Sequence, residues 1–317
     1  MAIRIGVVGL GKIAHDQHLP TLLASPDFEL ICSASLQGDS PKGATYRSVE
    51  AMLEAEPSIQ AVAMCQPPQA RFEAARAALD AGKHVLLEKP PGATLAEVKA
   101  LLDRARAKGL TLFASWHSRH APAVEPARAW LKGKHIRSAA IIWKEDARVW
   151  HPGQAWIWQP GGLGVFDPGI NALSIATRIL PPFFLREGTL AFPSNCGAPI
   201  AANLAFETVE GSPIEAEFDF RQTGPQIWDI RVETDEGLLL LSRGGAALSI
   251  DGAPQTLEPE AEYRGVYRRF AELIAAGECD VDRGPLRHVA DAFLRAAREE
   301  AEPFHDEPAP NSLSIAG

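Results

Sequence analysis

Short apolar runs rich in β-branched residues recur through the first third of the chain, at Ile3 to Val8, Phe28 to Cys32, Ile59 to Cys65, His84 to Leu87 and Leu110 to Ser115. Between them lie stretches with helical spacing of apolar positions, notably "RFEAARAALDAG" and "LAEVKALLDRARAKG", each closing on a glycine suited to the position just past a helix. Strand and helix in alternation predict a parallel sheet with helices on both faces.

Beyond about Trp116 the period changes. A helix-like "AVEPARAWLKG" leads into "RSAAIIWKED", then an irregular tract rich in Trp, Gly and Pro, then a helix predicted over about 163–180. Longer strands of period two follow, among them "PIEAEFDFRQ", "IWDIRVETD" and "GLLLLSRGGAALSID", which fit an antiparallel sheet with one face covered. Two closing helices are predicted over about 260–276 and 285–300, and the Pro-rich "EPFHDEPAPNSLSIAG" is expected to lack regular structure. The fold class is therefore α/β: an N-terminal Rossmann parallel sheet over 1–118, then a C-terminal α+β domain over 119–301 built on a large, mostly antiparallel open sheet, then a flexible tail over 302–317. An open apolar sheet face needs cover, so a homodimer joined through it is expected.

Composition adds exclusions. A chain of 317 residues, 46% hydrophobic and 22% charged, is ordinary globular material for two domains. A formal net charge of -9 without a basic run disfavours nucleic acid and anionic membrane as partners. No stretch reaches the roughly 18 apolar residues of a membrane span, and Arg4 and Lys12 interrupt the one run that might pass for a signal peptide. Cys32, Cys65, Cys196 and Cys279 are widely spaced, so neither a disulfide framework nor a zinc ribbon is suggested, and a cytoplasmic location is expected. The pairs His15 with His18 and His117 with His120 have a spacing that could serve a metal, but no third ligand accompanies either, so no metal is expected.

The first strand runs into Gly9-Leu10-Gly11-Lys12-Ile13-Ala14, the pattern G-x-G-x-x-A between a strand and a helix. Gly9 permits a tight turn, Gly11 lets the backbone approach a pyrophosphate, and Ala14 lets helix and strand pack closely. In a β-α-β chain this context makes a dinucleotide the expected ligand. The second strand ends in Ser33-Ala34-Ser35-Leu36-Gln37, with neither the carboxylate that selects NAD nor an arginine for a 2′-phosphate. Ser35 could bond either group, so NAD or NADP, with dual use, is expected. Gly9, Gly11, Lys12, Ile13, Ser35, Gln66, Pro67, Glu88 and Lys89 are the residues expected around the cofactor.

Lys89 in "LLEKPPG" stands where an apolar strand stops, against two prolines. Together "GVVGLGKIA", "AGKHVLLEKPPG" and "GVFDPGIN" resemble the Gfo/Idh/MocA family of sugar and polyol oxidoreductases, in the family's order and over the whole chain. The tract "WKEDARVWHPGQAWIWQPGGLGVFDPGINALSIATRILP" resembles the pentose and hexose 1-dehydrogenases within that family. The resemblance implies NAD(P)-dependent oxidation of an aldopyranose at C1 to its lactone, with L-arabinose or D-galactose as substrate. It also implies that Lys89 and Asp167 are the catalytic pair. The chain departs from the family in two places: Asn171 stands where His is frequent, and Gln66-Pro67-Pro68 where T-P-N is frequent. Asn cannot take a proton, which leaves the acid–base work to Asp167 with Lys89.

The chemistry agrees. Oxidation at C1 removes a hydride and a hydroxyl proton, so a base must reach that hydroxyl. Asp167 and Asn171 are four apart on a predicted helix and share a face, and the helix N-terminus favours an ionised Asp167. Lys89 falls at the carboxyl end of a parallel strand, where open α/β sheets bind ligands. Taken singly, Lys89 could be a loop lysine and Asp167 a helix cap. His117, at the end of the fifth strand, reads as a sugar-hydroxyl contact or as a half-exposed histidine at a domain junction. Four of the seven tryptophans, at 143, 150, 156 and 158, fall in one tract, and indoles commonly hold the apolar faces of sugars. Trp143 and Trp156 read as core, whereas Glu145, Trp150 and His151 read as pocket walls, with Trp228 adding another. Two other readings stay open: a dehydrogenase or reductase acting on a cyclitol or keto sugar, and a non-catalytic nucleotide-sensing regulator.

Overall fold

The structure is a computed structural model that describes residues 2–259 and 261–305. The chain divides into two compact units, one formed by the described residues of Met1–Ala121 and Pro259–Leu286, the other by those of Pro122–Glu258 and Arg287–Gly317.

In the first unit, strands β1 (Ile3–Val8), β2 (Phe28–Ala34), β3 (Ala44–Tyr46), β4 (Ala61–Met64), β5 (His84–Glu88) and β6 (Leu112–Ser115) form a parallel sheet in the order β3-β2-β1-β4-β5-β6. Helices α1 (Leu19–Leu23), α2 (Val49–Ala55), α3 (Arg71–Asp80) and α4 (Leu95–Ala107) connect them, with a π-helical turn Ala14–His18 leading into α1. Alternate strand residues face opposite layers: Val62, Met64, Val85 and Leu87 share a core with Met52, Leu79 and Leu101, whereas Ala61, Ala63 and Leu86 share one with Leu19 and Leu22. Strand order reverses beside β1, so the crevice at the carboxyl ends of β1 and β4 is where a nucleotide belongs.

The second unit opens with α5 (Val124–Leu131), β7 (Ile136–Lys144), α6 (Ala147–Trp150) and α7 (Phe166–Ile179). There follow β8 (Phe183–Pro193), β9 (Ala201–Thr208), β10 (Pro213–Asp219), β11 (Ile227–Thr234), β12 (Gly237–Ser242), β13 (Ala247–Ile250) and β14 (Ala253–Pro254). Two helices and a strand complete the described chain: α8 (Glu262–Ala276), α9 (Gly284–Arg295) and β15 (Ala297–Ala301). The nine-stranded sheet of the second unit has the order β14-β13-β12-β11-β7-β10-β9-β8-β15, with β10/β7 and β15/β8 parallel and the rest antiparallel. Helix α7 packs on it through Gly169, whose missing Cβ would lie only 3.1 Å from the Phe218 ring. That explains the glycine in "FDPGIN".

Five expectations change. Helix α8, expected with the C-terminal domain, supplies Val266, Tyr267, Phe270 and Leu273 to the core of the first unit. The helix predicted over 285–300 stops at Arg295, and 297–301 pair with β8 as an edge strand, a docking that no local periodicity signals. Trp156 is half-buried rather than core. Of the tail predicted to be flexible, residues 302–305 are held, because Asn195 exchanges two hydrogen bonds with the backbone of Phe304, at 2.7 and 2.9 Å; residues 306–317 lie outside the described residues. The open face on which the homodimer expectation rested is mixed rather than apolar: Ile142 and Leu240 share it with Arg137, Glu215, Glu217, Arg231 and Glu233.

Candidate active site

In the first unit the carboxyl edge of the sheet gathers most of the residues expected around a cofactor. Gly9 follows β1 with φ +90°, and a Cβ there would stand 2.8 Å from the backbone nitrogen of Gln66, so the turn admits only glycine. Gly11 differs: nothing lies within 4 Å of the place its Cβ would occupy, which leaves a cradle beside the loop. Next to Gly9 the side-chain oxygen of Gln66 is buried and has no hydrogen-bond partner. An open cradle and an orphaned acceptor at the switch point fit a dinucleotide. A cavity of about 330 Å³ opens beside Ile13, walled by Gln17, His117, Glu262 and Tyr263. Lys12 pairs with Asp16 on the protein surface, and Pro67 is exposed.

Lys89 follows β5 directly and is half-buried, joined to Pro90 by a cis peptide bond. The loop is clamped from within. Arg71, at the start of α3 and 2% exposed, donates from its guanidinium to the carbonyls of Gln66, Glu88 and Pro90. Burial lowers its pKa to about 10, with Glu88 and then Cys65 opposing, so it remains charged at neutral pH.

Glu88, expected beside the cofactor, turns inward instead. Its carboxylate accepts from the Lys89 backbone N–H, from Tyr263 Oη at 2.6 Å, and from the His18 ring at 3.4 Å. Burial alone would push the carboxyl up. The hydrogen bond and charge of His18, then the charge of His117 and the Tyr263 bond, outweigh it and hold Glu88 at about 2. His18 in turn meets Tyr267 Oη at 2.7 Å. His117 lies 2.7 Å from Glu262 and stacks on Tyr263, so α8 fixes the ring at the strand edge.

Ser35 also turns from its expected task. Its hydroxyl donates to the carbonyl of Gln37 at 2.5 Å and accepts from the Gln37 and Leu10 amides at 3.0 and 3.4 Å, which shapes the loop after β2. Arg47 reaches the same loop and donates to the carbonyl of Leu36 at 3.3 Å. The sequence hides this cation because eleven residues separate the two partners.

In the second unit, residues from four elements converge. Asp167 lies in the first turn of α7, Glu145 just past β7, His151 just past α6, and Trp228 on β11. The His151 ring stands between two carboxylates, Nε2 at 3.0 Å from Glu145 Oε1 and Nδ1 at 3.4 Å from Asp167 Oδ2. The second contact has ion-pair distance without hydrogen-bond alignment. Trp228 Nε1 donates to Glu145 Oε2 at 2.8 Å. Trp150 packs edge-on against Trp228 at 5.0 Å, and Trp143 stacks beneath it at 6.0 Å as its partner across the β7–β11 ladder. Asn171, half-buried, sits one turn along α7 from Asp167. A hollow of about 940 Å³ over the open sheet face holds none of these residues.

Not legible in the sequence were the supports: Arg71, His18, Tyr263, Arg47, and Phe220, whose ring flanks His151 at 5.2 Å. Each acts on a partner distant in the chain or in a loop without period.

Glycine loop, clamped lysine and buried carboxylate cluster together describe a nicotinamide-linked oxidoreductase, and comparison agrees: the chain belongs to the Gfo/Idh/MocA oxidoreductase family, whose NAD-binding Rossmann fold matches residues 3–115. Galactose 1-dehydrogenase of Pseudomonas fluorescens is 48% identical over 305 residues, covering 96% of this chain and 99% of the relative. The crystal structure of a D-galactose-1-dehydrogenase protein from Rhizobium etli aligns with TM-score 0.92 at 58% identity, over 96% of this chain and 98% of that one. KijD10, a 3-ketoreductase from Actinomadura kijaniata in complex with NADP, shares the fold at 21% identity, with TM-score 0.81 over 95% of this chain and 100% of that one.

Proposed function

We propose that the protein oxidises an aldopyranose at C1 to the lactone, with D-galactose the first substrate and L-arabinose, which lacks only the exocyclic CH₂OH, also accepted. The observation that carries this reading is the cluster of Asp167, His151, Glu145 and Trp228 in a chain nearly half identical, end to end, to a galactose 1-dehydrogenase. A sugar needs buried hydrogen-bonding groups beside an indole face, and the cluster with Trp150 supplies both.

The Gly9–Ala14 loop, Gln66 and the loop after β2 would hold the nucleotide. When bound, NAD(P)+ accepts the hydride from C1. The chain's own residues do the rest. Asp167 takes the hydroxyl proton, and the ammonium of Lys89 stabilises charge developing on that oxygen. Arg71 and Glu88 fix the backbone on either side of Lys89, so the ammonium is presented from a stiff loop. Asn171 orients a sugar hydroxyl without exchanging protons.

Initial rates with NAD and NADP across aldoses and cyclitols, the product followed by NMR and Lys89→Ala as control, test the reading. Galactose oxidised to its lactone and lost in the variant is the expected result. Turnover of cyclitols alone, or nucleotide binding without turnover, would overturn it.

A further inference from the structure

The segment that follows β15 is tied to the tract that carries His151, and one turn, residues 194–197, holds both. The Ser194 amide donates to the carbonyl of Ala301 at 3.2 Å, Asn195 exchanges its two hydrogen bonds with the backbone of Phe304, and the Gly197 amide donates to the carbonyl of Trp158 at 2.8 Å. A Cβ on Gly197 would stand 2.7 Å from the Pro160 nitrogen, so the turn lies directly against the end of the tract. Fixed in this way, the half-buried ring of Phe304 meets the Trp158 indole with centroids 4.8 Å apart, and the Arg148 guanidinium lies 6.0 Å from its centre. Phe304 therefore faces the tract on both flanks of His151, at α6 before it and at Trp158 after it.

The packing continues inward. Trp158 lies 5.5 Å from the ring of Phe220, which is fully buried and itself lies 5.2 Å from the His151 ring. The carbonyl of Phe220 accepts from the Ala147 amide at 3.0 Å, so the start of α6, the helix bearing Trp150, rests on the same residue. The indole N–H of Trp158 is buried and has no hydrogen-bond partner among the described residues, so the rings of Phe220 and Phe304 fix its orientation by packing. Between Trp150 and Trp158 the backbone forms only short turns, including Ala155–Ile157, and such a stretch takes its place from side-chain contacts.

We propose that Phe304 is a positioning residue of the sugar site: through Trp158 and Phe220 it sets the place of His151, and through Arg148 it steadies α6 and Trp150. This rests on the aldose-oxidation reading above, in which His151 and Trp150 stand beside the sugar. Both hold substrate and transition state alike, so loosening them weakens sugar binding more than it slows the chemical step.

The test has an arm without substrate. Hydrogen exchange of the whole protein, read by mass spectrometry over peptides within 148–158, compares wild type with Phe304→Ala, Phe304→Tyr and Asn195→Ala. Exchange there should quicken about fivefold or more in Phe304→Ala and Asn195→Ala and stay near wild type in Phe304→Tyr, which keeps the ring. In the kinetic arm, Phe304→Ala should raise KM for galactose roughly tenfold, change kcat by less than about threefold, and be rescued by Phe304→Tyr. Exchange of 148–158 that ignores Phe304→Ala overturns the proposal. So does a Phe304→Ala protein that melts lower yet keeps the wild-type KM, because Phe304 would then serve packing alone. Should circular dichroism show Phe304→Ala unfolded, Asn195→Ala, which frees the segment and keeps the ring, decides by the same two measurements. A wild type inert on every aldose would instead sink the substrate reading, and the exchange arm would still judge whether Phe304 governs the tract.

Discussion

Tyr263 Oη lies 2.6 Å from Glu88 Oε1, a bond across 175 residues that ties α8 to the residue before Lys89. Both groups are buried, and burial first, then Glu88, pushes the phenol well above its usual range, so it remains a donor at neutral pH.

Removing that donor leaves a buried carboxylate partly unsatisfied. Tyr263→Phe should lose about 2 kcal/mol of stability, read by urea unfolding, with kcat falling because the backbone beside Lys89 loosens. Full stability with unchanged kcat would show that the bond contributes nothing.

Glu88 also makes stability depend on acid. Its carboxyl lies at about 2 in the folded protein against an ordinary value of 4.5, so the folded state holds fewer protons between those values. Its contribution, about 3 kcal/mol, is complete above about pH 4.5 and is lost as pH falls toward 2. Unfolding of wild type and Glu88→Gln at a series of pH values should therefore show a gap that is constant near neutrality and narrows below pH 4.5. A gap indifferent to pH would contradict the assignment.

Arg71 leaves three carbonyls without donors if it is lost. Arg71→Met should cost on the order of 3 kcal/mol or more, and Arg71→Lys should be only a partial substitute because an ammonium lacks the planar fork. Melting temperatures of the two variants beside wild type check both statements.

The two glycines of the loop separate folding from binding. Gly9→Ala meets the Gln66 backbone at positive φ and should destabilise the protein itself. Gly11→Ala meets nothing and should melt within a few degrees of wild type while weakening NAD and NADP binding about tenfold or more. Calorimetric titration of both variants provides the comparison, and a Gly11→Ala protein that binds normally would refute the cradle.

If the loop after β2 holds the ribose, as proposed above, Arg47, which donates to the Leu36 carbonyl of that loop, would be the cation available to a 2′-phosphate. Arg47→Ala should lower kcat/KM with NADP about tenfold and leave NAD nearly unchanged. Equal loss with both cofactors would assign the residue to loop structure alone.

The sequence by itself determined most of the strands, the glycine turn, the E-K-P loop and the helix bearing Asp167. These depend on local rules: period two or 3.6 in apolar positions, glycine where φ is positive, and proline where the backbone gives up a donor. Glu145, Trp150 and His151 were legible as a group because indoles crowded one tract, with Trp228 added from a later strand. Only the tertiary structure decided what each group faces. Glu88 turned inward because His18 and Tyr263, far away in the chain, could satisfy its charge inside. Ser35 spent its hydroxyl on its own loop, while Arg47 came to that loop from beyond β3. Helix α8 joined the first unit because its aromatic face fits the apolar face of β1, β4 and β5. His151 gained a fixed carboxylate partner because Trp228, 83 residues beyond Glu145, holds that carboxylate in place. Periodicity reports which face of an element is buried; the partner found there depends on side chains brought together only when the chain folds.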